Sequence, residues 1–140
     1  MLIPPELASS PDCATLLTSH GIALTRQRLE IARVLFARCR HLSADQILTA
    51  VNASGADISK ATVYNTLKLF LSKSLIREVI VDSGKVFYDS NTAPHHHFYD
   101  VDSGEIIDVD AAEVAVTGLP ALPEGMVADG VDIIVRMRRK

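Results

Sequence analysis

The chain has no tryptophan, two cysteines and only 5% aromatic residues. Cys13 and Cys39 form no C-x-x-C pair and are too few for a disulfide framework. A small disulfide scaffold is therefore excluded, and a reducing compartment is indicated. No apolar run approaches the roughly 18 residues of a membrane span. Met1 to Pro5 lack the basic and apolar regions of a secretory leader. A soluble, cytoplasmic protein with no membrane partner is expected. There is no nucleophile–base–orienter pattern, no phosphate-binding glycine loop and no zincin motif, so an enzyme is not expected.

Hydrophobic residues make up 48% of the 140 positions, enough for a core in one domain or two small ones. The formal charge of −3 hides a division. Residues 1–90 carry 10 basic and 8 acidic side chains, whereas residues 91–140 carry 4 and 9. Within residues 24–77 there are 9 basic side chains against 3 acidic ones. A basic first part and an acidic second part suggest two jobs.

Local signals divide the first part into four helices and a hairpin. Ser10, with Pro11 behind it, is an N-cap signal, and Gly21 can end the helix carrying Cys13, Leu16, Leu17 and His20. Thr25 can cap a second helix with an apolar stripe of Leu29, Ala32, Leu35, Phe36 and Cys39; Arg40 falls largely outside it. Ser43 and Gln46 form a capping box before Ile47, Leu48 and Val51. Ser59 can cap a fourth helix to about Lys73, with Val63, Leu67, Phe70 and Leu71 inside. Then the period changes. Residues 75–81 and 85–89 read as strands joined by Asp82-Ser83-Gly84. Helix, helix, helix, hairpin is the order of a winged helix-turn-helix.

Ser90-Asn-Thr-Ala-Pro94 reads as a linker, with the hinge at 91–94. Beyond it, residues 95–101 and 105–109 predict a second hairpin. Residues 111–117 predict a short helix that Pro120 and Pro123 stop. Val131, Ile133, Val135 and Met137 alternate in a last strand. Under 50 residues make a marginal core, so this part is expected to pair with another copy. The fold class expected is α+β: an N-terminal winged helix-turn-helix domain, residues 1–90, and a small α/β dimerisation domain, residues 95–140.

Two groups of side chains carry chemistry. The helix opening at Ser59 presents free backbone N–H groups suited to phosphate. Thr62, Tyr64 and Asn65 can read base edges, and Lys60, Lys68, Lys85, Arg26 and Arg28 can neutralise phosphates. The second group is His95-His96-His97. In a strand, His95 and His97 share one face and His96 takes the other. Carboxylates lie nearby in sequence at Asp89, Asp100, Asp102 and Asp108, and His41 precedes the third helix, so a mixed nitrogen and oxygen set suited to Fe(II), Mn(II) or Zn(II) is available. Cys13 and Cys39 fall on apolar stripes and read as core. A small metal- or haem-carrying protein without a DNA role is the reading of a different class; the basic 24–77 segment speaks against it.

Leu24-Thr-Arg-Gln-Arg28, His41-Leu-Ser-Ala-Asp45, Ser59-Lys-Ala-Thr-Val-Tyr-Asn-Thr-Leu67 and the run from His95 to Asp108 resemble the ferric uptake regulator family, in order along nearly the whole chain. The resemblance implies a cytoplasmic, homodimeric, winged-helix transcription factor that binds a palindromic double-stranded DNA operator. It places metal ligands at His41, Asp89, His95, His97 and Asp108, and base-reading side chains at Tyr64 and Asn65. Many members hold structural zinc through C-x-x-C pairs. Asp100 and Ser103 stand at the first of these, so no cysteine-ligated zinc is expected. The His triplet, Leu-Pro-Glu-Gly-Met126 and the basic ending are similar to the iron response regulator subgroup. That similarity implies iron responsiveness, with haem as a further ligand at His95, His96 and His97. Cys13 is followed by Ala14, so the subgroup's Cys-Pro haem motif is missing. A repressor activated by Mn(II) or Fe(II) itself is one alternative within the family, and an oxidant sensor with histidines next to iron is another.

Overall fold

The structure is a computed structural model that describes residues 10–37, 41–53 and 55–140. The expectations for Cys39 and Arg40, and for the capping side chain of Ser10, lie outside what is described. Contacts divide the chain into two compact units, Met1–Thr92 and Ala93–Lys140.

The first unit is helical at its start because its caps are local and strong. Helix α1 (Ser10–Ser19) ends at Gly21, whose φ of +73° is the left-handed conformation that glycine adopts without a Cβ clash. The Ile22 N–H then donates to the Leu17 carbonyl at 3.0 Å. Helix α2 (Arg26–Phe36) is capped by Thr25, whose Oγ1 accepts from the Arg28 N–H at 3.2 Å. Two-residue strand β1 (His41–Leu42) leads into helix α3 (Ala44–Ala53). There the Gln46 N–H donates to Ser43 Oγ at 3.2 Å and the Ser43 N–H donates to Gln46 Oε1 at 2.8 Å, a complete capping box. Helix α4 (Lys60–Ser72) is capped by Ser59, which accepts from the Thr62 N–H at 3.1 Å.

Cys13, Leu17, Ile31, Leu35, Ile47, Val63, Leu67 and Phe70 close the core, with Leu42 and Tyr88 from the strands. Ile31 is fully buried, whereas Leu29, expected on the inner stripe, is only partly buried. Helix α2 packs against α1, α3 and α4 together, so its buried face is wider than a single stripe.

Strands β2 (Arg77–Asp82) and β3 (Lys85–Asp89) form the hairpin, turning at Gly84 with φ +74°. The strand expected from Leu75 starts at Arg77. Leu75 and Ile76 are still tucked under the helix end, where the Leu75 N–H donates to the Phe70 carbonyl at 3.0 Å. Strand β1 adds to β3, giving an antiparallel sheet in the order β1-β3-β2.

In the second unit, β4 (His95–Asp100) and β5 (Ile106–Asp110) make an antiparallel hairpin. Its turn is held by Asp100 Oδ1, which accepts the N–H groups of Asp102 at 2.9 Å and Ser103 at 3.2 Å. The helix expected over 111–117 is not there. A single 3-10 turn, Ala111–Glu113, is capped by Asp110, which accepts from the Ala112 N–H at 2.9 Å. Val114, Val116, Thr117, Gly118 and Pro120 then disfavour a helix one after another. Strand β6 (Ile134–Met137) lies parallel to β4, giving the order β5-β4-β6. It is shorter than the expected strand, and Val131 and Val135 are exposed rather than buried. No described helix is long and apolar enough to cross a membrane.

Candidate metal ligands and nucleic-acid face

In the first unit, strand pairing sets His41 opposite Asp89. The His41 Nε2 lies 3.0 Å from Asp89 Oδ2, and both side chains are almost fully buried. The other carboxylate oxygen, Oδ1, accepts the Asn91 N–H at 2.9 Å. A buried carboxylate needs such partners, because leaving it unpaired costs the full desolvation of the charge. On the other side of β3, Arg77 is the register partner of Asp89.

In the second unit, the pleat of β4 turns His95 and His97 to one face and His96 to the other. His95 and His97 are buried, at 6% and 1% exposure, and their rings meet edge to face with centroids 4.5 Å apart. Asp108 on β5 is the register partner of His97. Its Oδ1 lies 3.6 Å from His95 Nε2 and 3.5 Å from His97 Nε2. These gaps are long for hydrogen bonds. They suit ligands around one ion: bonds of about 2.1 Å place neighbouring donor atoms roughly 3.0–3.5 Å apart.

The proton positions agree. His95 Nδ1 sits 2.6 Å from the Ala93 carbonyl oxygen, which only an Nδ1–H can satisfy. In the neutral ring, that leaves the Nε2 lone pair facing Asp108, the orientation a ligating histidine takes when its second nitrogen is tied to a carbonyl. His96 does something else. Its Nδ1 accepts the Ile133 N–H at 3.1 Å, fastening the start of the last strand.

The side chains expected to meet nucleic acid all belong to the first unit. Lys60, Tyr64, Asn65 and Lys68 are exposed along α4. Lys60 Nζ stands 5.9 Å from the centre of the Tyr64 ring and 4.0 Å from Asp45 Oδ1; the latter is an exposed pair of little energetic weight. Ser59 and Thr62 are joined, with Ser59 Oγ donating to Thr62 Oγ1 at 2.9 Å. Arg28, Thr62 and Asn65 line one open hollow of about 370 Å³, together with Thr25, Gln27 and Thr66. The Arg28 guanidinium also donates to the Ala23 carbonyl at 2.7 Å, which ties down its head group. Arg26 is not in that hollow; it lines a separate one of about 340 Å³ with Glu30 and Asp57. Lys85 is exposed at the start of β3. Gln27 and Thr66 were not singled out by the sequence reading. Thr66 lies one helical turn after Thr62, which was the signal for it; Gln27, two residues from Thr25, offered none beyond its place between Arg26 and Arg28.

A family model for the ferric uptake regulator family matches residues 19–124. The chain belongs to the ferric uptake regulator family. Members of this family are transcription regulators, not enzymes. Among curated relatives, the chain is 32% identical over 97 residues to the peroxide-responsive repressor PerR of Staphylococcus saprophyticus, covering 69% of this chain and 66% of that protein. It is 34% identical over 92 residues to PerR of Staphylococcus aureus, covering 66% of this chain and 62% of that one. The chain thus spans under two thirds of the length of these relatives. Among solved structures, the ferric uptake regulator from Pseudomonas aeruginosa with manganese superposes with a TM-score of 0.69 at 26% identity, covering 91% of this chain and 97% of that one. The family fold agrees with the α+β class expected.

Proposed function

We propose that this chain is a metal-responsive transcription regulator that binds a palindromic DNA operator as a homodimer in the bacterial cytoplasm. The observation that carries this reading is the trio of His95, His97 and Asp108, with the outer nitrogen of His95 already spent on a carbonyl. We propose His41 and Asp89 as the remaining ligands of the same ion; only five residues separate Asp89 from His95 in the chain. An all-nitrogen and oxygen set suits Fe(II), Mn(II) or Zn(II), with no thiolate among the ligands. The manganese-bound relative supports an ion of this class.

On the DNA side, Tyr64 and Asn65 read bases, helped by Thr62. Lys60, Lys68, Lys85, Arg26 and Arg28 hold phosphates, and Ser59 with the start of α4 takes a further one. Two copies related by a two-fold axis place two recognition helices about one turn of duplex apart. Metal regulates only by binding the DNA-competent arrangement with a different affinity from the incompetent one.

Iron is the metal suggested by the likeness to the iron response regulator, which would add haem at His95, His96 and His97. The burial of His95 and His97, and the use of His96 Nδ1 by Ile133, favour a small ion over a porphyrin. The test is titration of the metal-free protein with Fe(II), Mn(II), Zn(II) and haemin, following absorbance and operator binding together at several salt concentrations. The reading expects an ion-dependent change in operator affinity and a steep loss of binding with salt. No binding to any fragment of its own genome at low salt, with or without ion, would overturn it.

A further inference from the structure

The path from α3 to α4 decides where the recognition helix begins. Residues 56–59 on that path form no helix or strand, so neither kind of backbone ladder fixes them. An asparagine side chain supplies the fastening. Asn52, the last residue but one of α3, donates from Nδ2 to the Ile58 carbonyl at 2.9 Å. Its Oδ1 accepts the Ile58 N–H, also at 2.9 Å. The flat carboxamide thus pairs with Ile58 as one strand residue pairs with another. Turned over, it would set N–H against N–H and oxygen against oxygen, so the pairing fixes its orientation. Ile58 is buried, and a buried N–H and C=O need partners of this kind. The backbone of the same asparagine closes α3. Its carbonyl accepts the Gly55 N–H at 3.1 Å, and Gly55 turns the chain at φ +92°. One residue therefore ends one helix and sets the start of the next.

That start carries the chemistry of α4. Ser59, directly after Ile58, accepts the Thr62 N–H at 3.1 Å and donates its hydroxyl to Thr62 Oγ1 at 2.9 Å. Thr62, Tyr64 and Asn65 all lie in the first two turns of the helix. Val63, Leu67 and Phe70 hold α4 to the core, but apolar attraction has no preferred direction. Two hydrogen bonds on one planar group do have one. Base contacts demand it, since a recognition site works only when held within about 0.5 Å of its productive geometry. Phosphate contacts demand less, because lysine is a point charge on a flexible stem.

We propose that Asn52 is a positioning residue for base recognition: through Ile58 and the Ser59 cap it sets the start and aim of α4, and with them the choice of operator. This rests on the DNA-binding reading above and adds the residue that aims the reading helix.

The test uses the full chain with Mn(II) and two duplexes: the one the parent selects from a randomised pool, and a scrambled duplex of the same composition. Asn52→Ala should lower the ratio of the two affinities at least about tenfold, the scale of one lost base contact. Binding to the scrambled duplex should stay within about threefold of the parent, with the parent's salt slope, because the phosphate-binding lysines are untouched. Amide exchange should quicken at Ile58 and at Thr62. Ile47→Val trims the core side of α3 and lowers stability without removing the pairing, so it should keep the parent's ratio. Should Asn52→Ala not fold, Asn52→Asp takes its place. It keeps an acceptor for the Ile58 N–H but has no donor for the carbonyl, and the same fall in ratio is expected. An unchanged ratio, an equal loss on both duplexes, or an equal fall in Ile47→Val overturns the positioning role and leaves the regulator standing. So does failure of both Asn52 variants to fold, which would make the residue a requirement of the fold rather than of its aim. A parent that prefers no duplex in the pool overturns the DNA-binding reading itself.

Discussion

His41 and Asp89 stand opposite each other in the β1–β3 ladder, with Nε2 of one 3.0 Å from Oδ2 of the other. The backbone hydrogen bonds of a two-residue strand thus deliver a histidine to a buried carboxylate. The pair supports the buried carboxylate at Oδ2, alongside the Asn91 N–H at Oδ1.

His41→Ala removes one partner of the buried carboxylate and should destabilise the metal-free protein by about 1 kcal/mol or more, the scale of a hydrogen bond to a charged group. Asp89→Asn combined with His41→Ala should cost less than the sum of the two single changes, since the charge is gone. Urea unfolding of the four proteins in chelator measures the coupling; additive losses would show that the two side chains do not support each other.

The three neighbouring histidines should behave differently. His95→Ala and His97→Ala should each weaken Mn(II) binding at least about tenfold, whereas His96→Ala should leave it within a few-fold of the parent. His96→Ala should instead speed amide exchange at Ile133, whose N–H it accepts at 3.1 Å. Calorimetric titration with hydrogen exchange separates these roles; an equal loss of metal affinity in all three would contradict the split.

On α4, Asn65→Ala or Tyr64→Ala should cost about 1–3 kcal/mol of discrimination between operator and altered sites. Lys68→Ala should weaken binding to all sequences alike and reduce the salt slope by about 1. Competition gel shifts at several salt concentrations distinguish base reading from phosphate contact.

Asp100 gives a pH dependence of defined sign. The N–H of Ser103, then that of Asp102, hold its carboxyl below the ordinary value of 3.8. A group with a depressed folded pKa adds stability above its unfolded pKa, and that stability fades as pH falls through the folded value. Asp100→Asn should therefore flatten the acid limb of the stability curve below about pH 4. A chemical-denaturation series from pH 2 to 6 reads this; an unchanged limb would place the acid sensitivity elsewhere.

The legible parts of this sequence were those set by neighbours along the chain. Thr25, Ser43 with Gln46, and Ser59 each cap the helix expected, because a cap needs only three or four consecutive residues. The alternation of His95, His96 and His97 followed from the two-residue period of a strand. Strand β1 was not legible, since two residues carry no period and its pairing with β3 is a distant contact. The helix expected after Ala111 failed where Asp110 caps only one turn before β-branched residues, glycine and proline take over. The parallel placement of β6 is likewise a tertiary choice, fixed in part by His96 holding Ile133.

The most direct test measures operator affinity with and without Mn(II), at fixed ionic strength, for the parent and for His97→Ala. The account predicts a change in the parent's Kd of at least about fivefold on adding the ion, and no change in the variant. A parent that binds its operator equally well in both conditions, or a variant that responds as the parent does, would contradict it.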